Sequence, residues 1–149
     1  MEIIHETENF IVEVCDKPHV DRNDGGHLRV SSKKIISDRT EMPVKMANEF
    51  IKLTMIIGKA LKVGMTNRGV EIMRVNYQDM GNWAFKRGDT PYFHMHIYGR
   101  AKNARFQPYK ESVQLPDRST GFYDKFKPLN KEDISEIKKQ INNFSNSFN

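Results

Sequence analysis

The chain has one cysteine, Cys15, among 149 residues. No disulfide can form within it, and no cysteine pair is present to close a structural zinc site. Nor is there an apolar run able to cross a bilayer: the longest, near residues 50–63, is broken by Lys52, Lys59 and Lys62. The start, Met1-Glu2-Ile3-Ile4-His5-Glu6, has no basic stretch leading into an apolar one, so no secretory signal is expected. Internal repeats and low-complexity segments are absent. Together these point to a cytoplasmic protein with no membrane partner.

What is there is an ordinary globular composition, 38% hydrophobic and 29% charged, long enough for one domain with a real core. The formal charge of +5 admits an anionic partner without naming one. Many of the cations fall in expected loops: Arg22, Lys33, Lys34, Lys86, Arg87, Arg100, Lys102 and Arg105. No interleaving of aromatic and basic residues supports nucleic-acid binding, and none is expected.

Taken in order, residues 3–5 and 10–14 read as a hairpin of two short strands, and Asp16 to Gly26 as a loop. His27-Leu28-Arg29-Val30-Ser31-Ser32 alternates, with His27 on its polar side. Pro43 suits the first turn of a helix whose apolar residues recur every three or four positions from Met46 to Leu61, with Gly64 as the expected stop. Met46 and Met55 read as core or subunit-interface filler. Residues 70–76 form the next strand and 77–90 a long loop holding Trp83, the only tryptophan. Asn130 caps a helix through Ile134, Ile137 and Ile141, and residues 142–149 look frayed. Short strands, tight turns and one long helix define an α+β fold with an antiparallel sheet.

The densest pattern is Tyr92-Phe93-His94-Met95-His96-Ile97-Tyr98. A period of two puts His94 and His96 on one face, between Tyr92 and Tyr98, with Phe93, Met95 and Ile97 on the other. Three uses compete for the imidazoles: a polar surface, a metal site completed by His27, or nucleophilic chemistry in which a ring nitrogen attacks phosphorus. No carboxylate follows His96 closely, which disfavours a cupin-like centre.

Three segments, in order, resemble the histidine triad (HIT) superfamily. Gly26-His27-Leu28-Arg29-Val30-Ser31-Ser32-Lys33 resembles its upstream G-H-φ-φ-V-x-x-K segment. Met73-Arg74-Val75-Asn76 resembles its strand ending in Asn, and Tyr92 to Arg100 its H-φ-H-φ-H-φ-φ motif with the following glycine and arginine. The likeness spans about residues 3–100 and treats 101–149 as an extension of the same domain. In the preferred register Tyr92 replaces the first histidine, His94 is the middle one and His96 the third. A shift of two makes His96 the middle one and Tyr98 the substitute, but leaves no apolar pair after the motif.

The resemblance implies a HIT-like homodimer that binds a purine nucleotide and needs no cofactor or metal. It would hydrolyse or transfer a nucleotidyl group at the α-phosphorus through a covalent intermediate on His94, as nucleoside phosphoramidate or dinucleoside polyphosphate hydrolases do. His96 and His27 would contact phosphate and order the site, Asn76 would bind a phosphate oxygen and Asp16 the ribose; Gln78, Asn82 or Trp83 would supply the donors of the loop before the motif, and Tyr92 can still donate a hydrogen bond. A family serine near the leaving group has no counterpart, with Ala84 standing there. The alternatives are a nucleotide-binding protein without turnover and a metal-dependent hydrolase.

Overall fold

Five antiparallel strands form one sheet in the computed structural model, which describes residues 1–148. The strands are β1 (Glu2–Glu6), β2 (Phe10–Val14), β3 (His27–Ser32), β4 (Ile72–Gln78) and β5 (His94–Ala101), in the order β1-β2-β3-β5-β4. The sheet is therefore a hairpin extended by β3, with the motif strand β5 between β3 and β4. Alternation decides its two faces. Val12, Val30, Met95 and Ile97 point to one side and are at most 5% exposed.

That side is covered by the long helix α1 (Val44–Asn67), which contributes Phe50, Leu53, Ile57 and Leu61 to the core. Pro43 stands at its N-cap. Gly64 does not stop the helix. It lies one turn inside the end, where a Cβ would stand 3.0 Å from Cγ1 of Ile137, so its bareness serves helix packing. The glycine that follows the last turn is Gly69, whose φ of 86° is the left-handed geometry expected there. Met46 is buried, whereas Met55 is half exposed on the outer face.

The C-terminal helix α3 (Lys131–Ser145) starts at a capping box in which Asn130 accepts from the Asp133 N–H and Asp133 accepts from the Asn130 N–H. Its apolar stripe, Ile134, Ile137 and Ile141, joins the same core. The expected fraying of residues 142–149 is not seen as far as the described residues go: α3 runs to Ser145 and a single 3-10 turn, Asn146–Phe148, follows. Asn149 lies outside the described residues.

Two other expectations change. The loop after β4 is not wholly irregular: it carries a short helix α2 (Asn82–Arg87), and β4 itself continues to Gln78. Arg100, expected in a loop, is 1% exposed within β5. Its guanidinium donates to the Asn76 side-chain oxygen (2.6 Å) and to the backbone oxygens of Pro108 (2.7 Å) and Glu111 (2.9 Å). Because Arg100 shares a face with Tyr98 and His96, these bonds show where the chain goes after β5. It folds back over the face opposite α1, at the Tyr98–Arg100 end, and leaves the His94 end open.

Candidate functional site

The open half of that face is the floor of a cavity of about 730 Å³. Antiparallel register builds the floor, since directly paired residues point the same way. His27 pairs with Tyr98, Arg29 with His96 and Ser31 with His94 across β3 and β5. His27 (2% exposed) and His96 (8%) are buried, and His94 is half-buried. The His94 and His96 rings stand 4.7 Å apart, nearly perpendicular.

Hydrogen bonds assign a role to each ring nitrogen. His27 Nδ1 lies 3.0 Å from the backbone N of His19, which can only donate, so His27 carries its proton on Nε2. That Nε2–H donates to His96 Nδ1 at 2.8 Å, which places the His96 proton on Nε2. Cys15 Sγ flanks the same His27 nitrogen at 3.5 Å. His94 is turned the other way round: its Nδ1 is 2.7 Å from the Tyr92 carbonyl oxygen and must donate to it. His94 Nε2 is left with its lone pair. The floor thus presents a nucleophilic nitrogen on one ring and an N–H donor on the next.

Burial keeps these rings neutral. Desolvation pushes His96 down to about 2, with the neighbouring His94 and His19 adding to it. His27 is lowered well below the ordinary imidazole range by burial, then by His96 and His19. His94 is lowered by burial, against which its bond to the Tyr92 carbonyl works.

A fourth histidine completes the cluster. His19, in the loop between β2 and β3, is pushed down to about 4 by burial. Its ring stacks on His27 at 5.0 Å, and its Nδ1 is 2.8 Å from the Tyr98 hydroxyl. Sequence reading passed over it, because a loop has no periodicity to show where a side chain points. The only available signal was that it stands eight residues before His27 in a chain with five histidines. His19, His27 and His96 offer ligand atoms within 4.8 Å of one another and could hold a metal ion. An ion bound there would take the place of the proton between His27 and His96.

The walls come from α2 and from the chain after β5. Trp83 of α2 lines the cavity and meets His19 edge-on at 5.7 Å. Leu115 and Arg118 line it from the other side. Of the residues named from the sequence, His27, His94, His96, Tyr92 and Asp16 line the cavity. Tyr92 precedes β5, with its hydroxyl bonded to the Ser32 carbonyl. Asp16 is paired with the Met1 amino group at 2.6 Å. Asn76 and Gln78 of β4 pair with Tyr98 and His96 but are not among the lining residues, and the Asn76 side-chain oxygen accepts from Arg100.

The architecture is an α+β domain with its site on the helix-free face of an antiparallel sheet. This is the histidine triad fold. The structure resembles a hypothetical histidine triad nucleotide-binding protein from Sulfolobus tokodaii strain7, at 19% identity and TM-score 0.61, over 96% of this chain and 85% of that one. It also resembles a histidine triad protein from Sinorhizobium meliloti 1021, at 14% identity and TM-score 0.65, over 95% and 87% of the two chains. A mutant uridylyltransferase matches at 13% identity and TM-score 0.58, over 95% of this chain but 43% of its own. No family model matches the sequence, and a search of curated proteins finds no match. Among the described residues no helix is long and apolar enough to cross a membrane.

Proposed function

We propose that the protein is a nucleotide hydrolase or nucleotidyl transferase in which His94 attacks the α-phosphorus. The observation that carries this reading is the opposed orientation of two adjacent rings, His94 held by the Tyr92 carbonyl and His96 by His27. A neutral imidazole with its lone pair free is a competent nucleophile towards phosphorus. The His96 N–H beside it is suited to an equatorial phosphate oxygen as negative charge spreads in the transition state. His27 holds His96 in that tautomer, and the His19 backbone N–H holds His27. The same ordering supports the register with Tyr92 in the first position of the motif, because only then does the middle residue bond the carbonyl two positions back. Tyr92 lends its backbone oxygen to the nucleophile, a role that a histidine side chain is not needed for.

The nucleotide-binding protein from Sulfolobus tokodaii and the uridylyltransferase support a nucleotide as ligand. Trp83 offers an aromatic face for the base, and Asp16 a carboxylate for the ribose hydroxyls. The test is to incubate the protein with a fluorogenic adenosine phosphoramidate and with dinucleoside polyphosphates, beside His94→Ala. Turnover by the native chain alone, with an acid-labile nucleotidyl adduct on His94 in intact-mass spectra, is the expected result. Equal turnover by both proteins, or none by either, rejects the reading.

A further inference from the structure

We infer that Lys17 and Arg118 form a second anion subsite at the rim of the cavity, which takes the phosphate of the leaving group. The substrate is then a nucleotide whose phosphate chain continues beyond the phosphorus that His94 attacks. This rests on the nucleotidyl reading above and adds to it the chemistry of the departing half.

Four cations line the cavity: Lys17, Arg29, Arg87 and Arg118. Two are already matched. Arg29 is paired with Glu13 at 2.8 Å and Arg87 with Asp89 at 2.9 Å. Both lining carboxylates are matched too, Asp89 by Arg87 and Asp16 by the Met1 amino group. Lys17 and Arg118 have no carboxylate partner among the described residues, so the unmatched charge of the cavity is positive and sits with these two side chains. They are neighbours, since the Arg118 guanidinium donates to the Lys17 carbonyl at 2.8 Å.

Arg118 is also held in place. Its guanidinium lies 4.9 Å from the centroid of the Tyr123 ring, and the Tyr123 hydroxyl donates to the Pro116 carbonyl at 2.9 Å. The preceding residue, Asp117, is bonded to Lys86 on α2, which ties this turn to the opposite wall. One guanidinium N–H is used on the Lys17 carbonyl, and the planar fork retains donors for a phosphate.

The unmatched positive charge at the rim suits a phosphate as the departing group. His94 Nε2 forms the N–P bond while the P–O bond to the leaving phosphate breaks, and the electron pair stays on that oxygen. A phosphate leaves as a stable anion and needs only a cation beside it. Water then attacks the phosphorus, the N–P electrons return to His94, and one proton goes to solvent.

The experiment is calorimetric titration of AMP and ADP at low salt into the native chain, Lys17→Gln, Arg118→Gln and Arg118→Lys. ADP is expected to bind the native chain at least about tenfold more tightly than AMP, the scale of one charge-assisted bond. That ratio should collapse in Arg118→Gln, fall in Lys17→Gln and be partly retained in Arg118→Lys. Lys17→Gln guards against misfolding, as the Lys17 side chain makes no contact that the fold needs. Equal affinity for AMP and ADP in the native chain, binding of neither, or a ratio that survives both glutamine variants would overturn the subsite. Preference for ADP without any turnover leaves the subsite standing and removes the hydrolytic reading instead.

Discussion

The floor and the wall of the cavity are built by different physics. The floor consists of side chains on β3 and β5, whose direction is set by strand alternation and whose reverse face is packed on α1 through Met95, Ile97 and Leu28. The wall formed by the chain after β5, which is held to the loop before β3, rests on buried polar groups. Asp24, 1% exposed, accepts three backbone N–H groups, from Arg105 (2.7 Å), Phe106 (2.7 Å) and Gln107 (2.8 Å). Gln107, fully buried, donates to the His19 and Gln114 carbonyls and accepts from the Gln114 N–H. The floor is therefore expected to tolerate loss of its chemistry without unfolding, and the wall to unfold when its polar atoms lose their partners.

The largest expected effect breaks the floor chemically. His94→Gln removes the nucleophile from a half-buried position, so turnover of a nucleotide substrate should fall about a thousandfold or more. The melting temperature should hardly move, because the His94 bonding to the fold is one contact with the Tyr92 carbonyl. Initial rates and a thermal melt on the same preparation check both halves. A melt that collapses along with the rate would mean that floor and wall are not separable in this way.

Next comes the wall. Asp24→Asn keeps the shape but points an amide N–H at backbone N–H groups, leaving buried donors without an acceptor. A cost of about 2–4 kcal/mol is expected for such a loss, read as a shift of the urea midpoint with an unchanged slope. Gln107→Leu should act in the same direction, by about 1–3 kcal/mol. It should also loosen His19, whose carbonyl Gln107 holds.

The same division explains what could be read from the sequence. β2 and β3, both long helices, the Asn130 cap and the pairing of His94 with His96 were legible, because periodicity and capping are local signals that survive without the fold. His19, the short helix that carries Trp83, and Arg118 were not. Each is placed by partners far along the chain, such as Gln107 for His19 or Lys86 for the turn at Asp117. Arg100 was misplaced for the same reason: only the return of residues 107–111 over the sheet buries it. Gly64 was misread because its neighbour, Ile137, comes from the other end of the chain.

Acid titration sharpens the comparison, since the histidine cluster joins floor to wall. In the unfolded chain the imidazoles take up protons below about pH 6.5, whereas in the folded protein His19 does so only near 4 and His96 near 2. Between those limits the unfolded state binds more protons. Stability is complete above pH 6.5 and falls as pH drops, by about 1.4 kcal/mol per pH unit for each imidazole fully in that window. His19→Gln should remove one imidazole's share of the slope between pH 6 and 4, measured by urea denaturation across pH. An unchanged slope would show that His19 titrates freely and is not part of the buried cluster.

The smallest effect on stability is expected where the two walls meet. Lys86 and Asp117 are exposed at the rim, 65% and 41% by side chain, and their pair joins α2 to the turn that carries Arg118. An exposed pair is screened by water and salt and holds two mobile side chains at an entropic cost, so it contributes little to folding. Lys86→Gln should leave the thermal melt where it is. What the pair does is hold a position, and the readout suited to that is affinity for ADP, which should weaken modestly at low salt and converge with the native value as salt is raised. If the melt drops instead, the rim is part of the folding unit formed by the Asp24 and Gln107 bonds. If neither quantity moves, Arg118 is placed by Tyr123 and the Lys17 carbonyl alone.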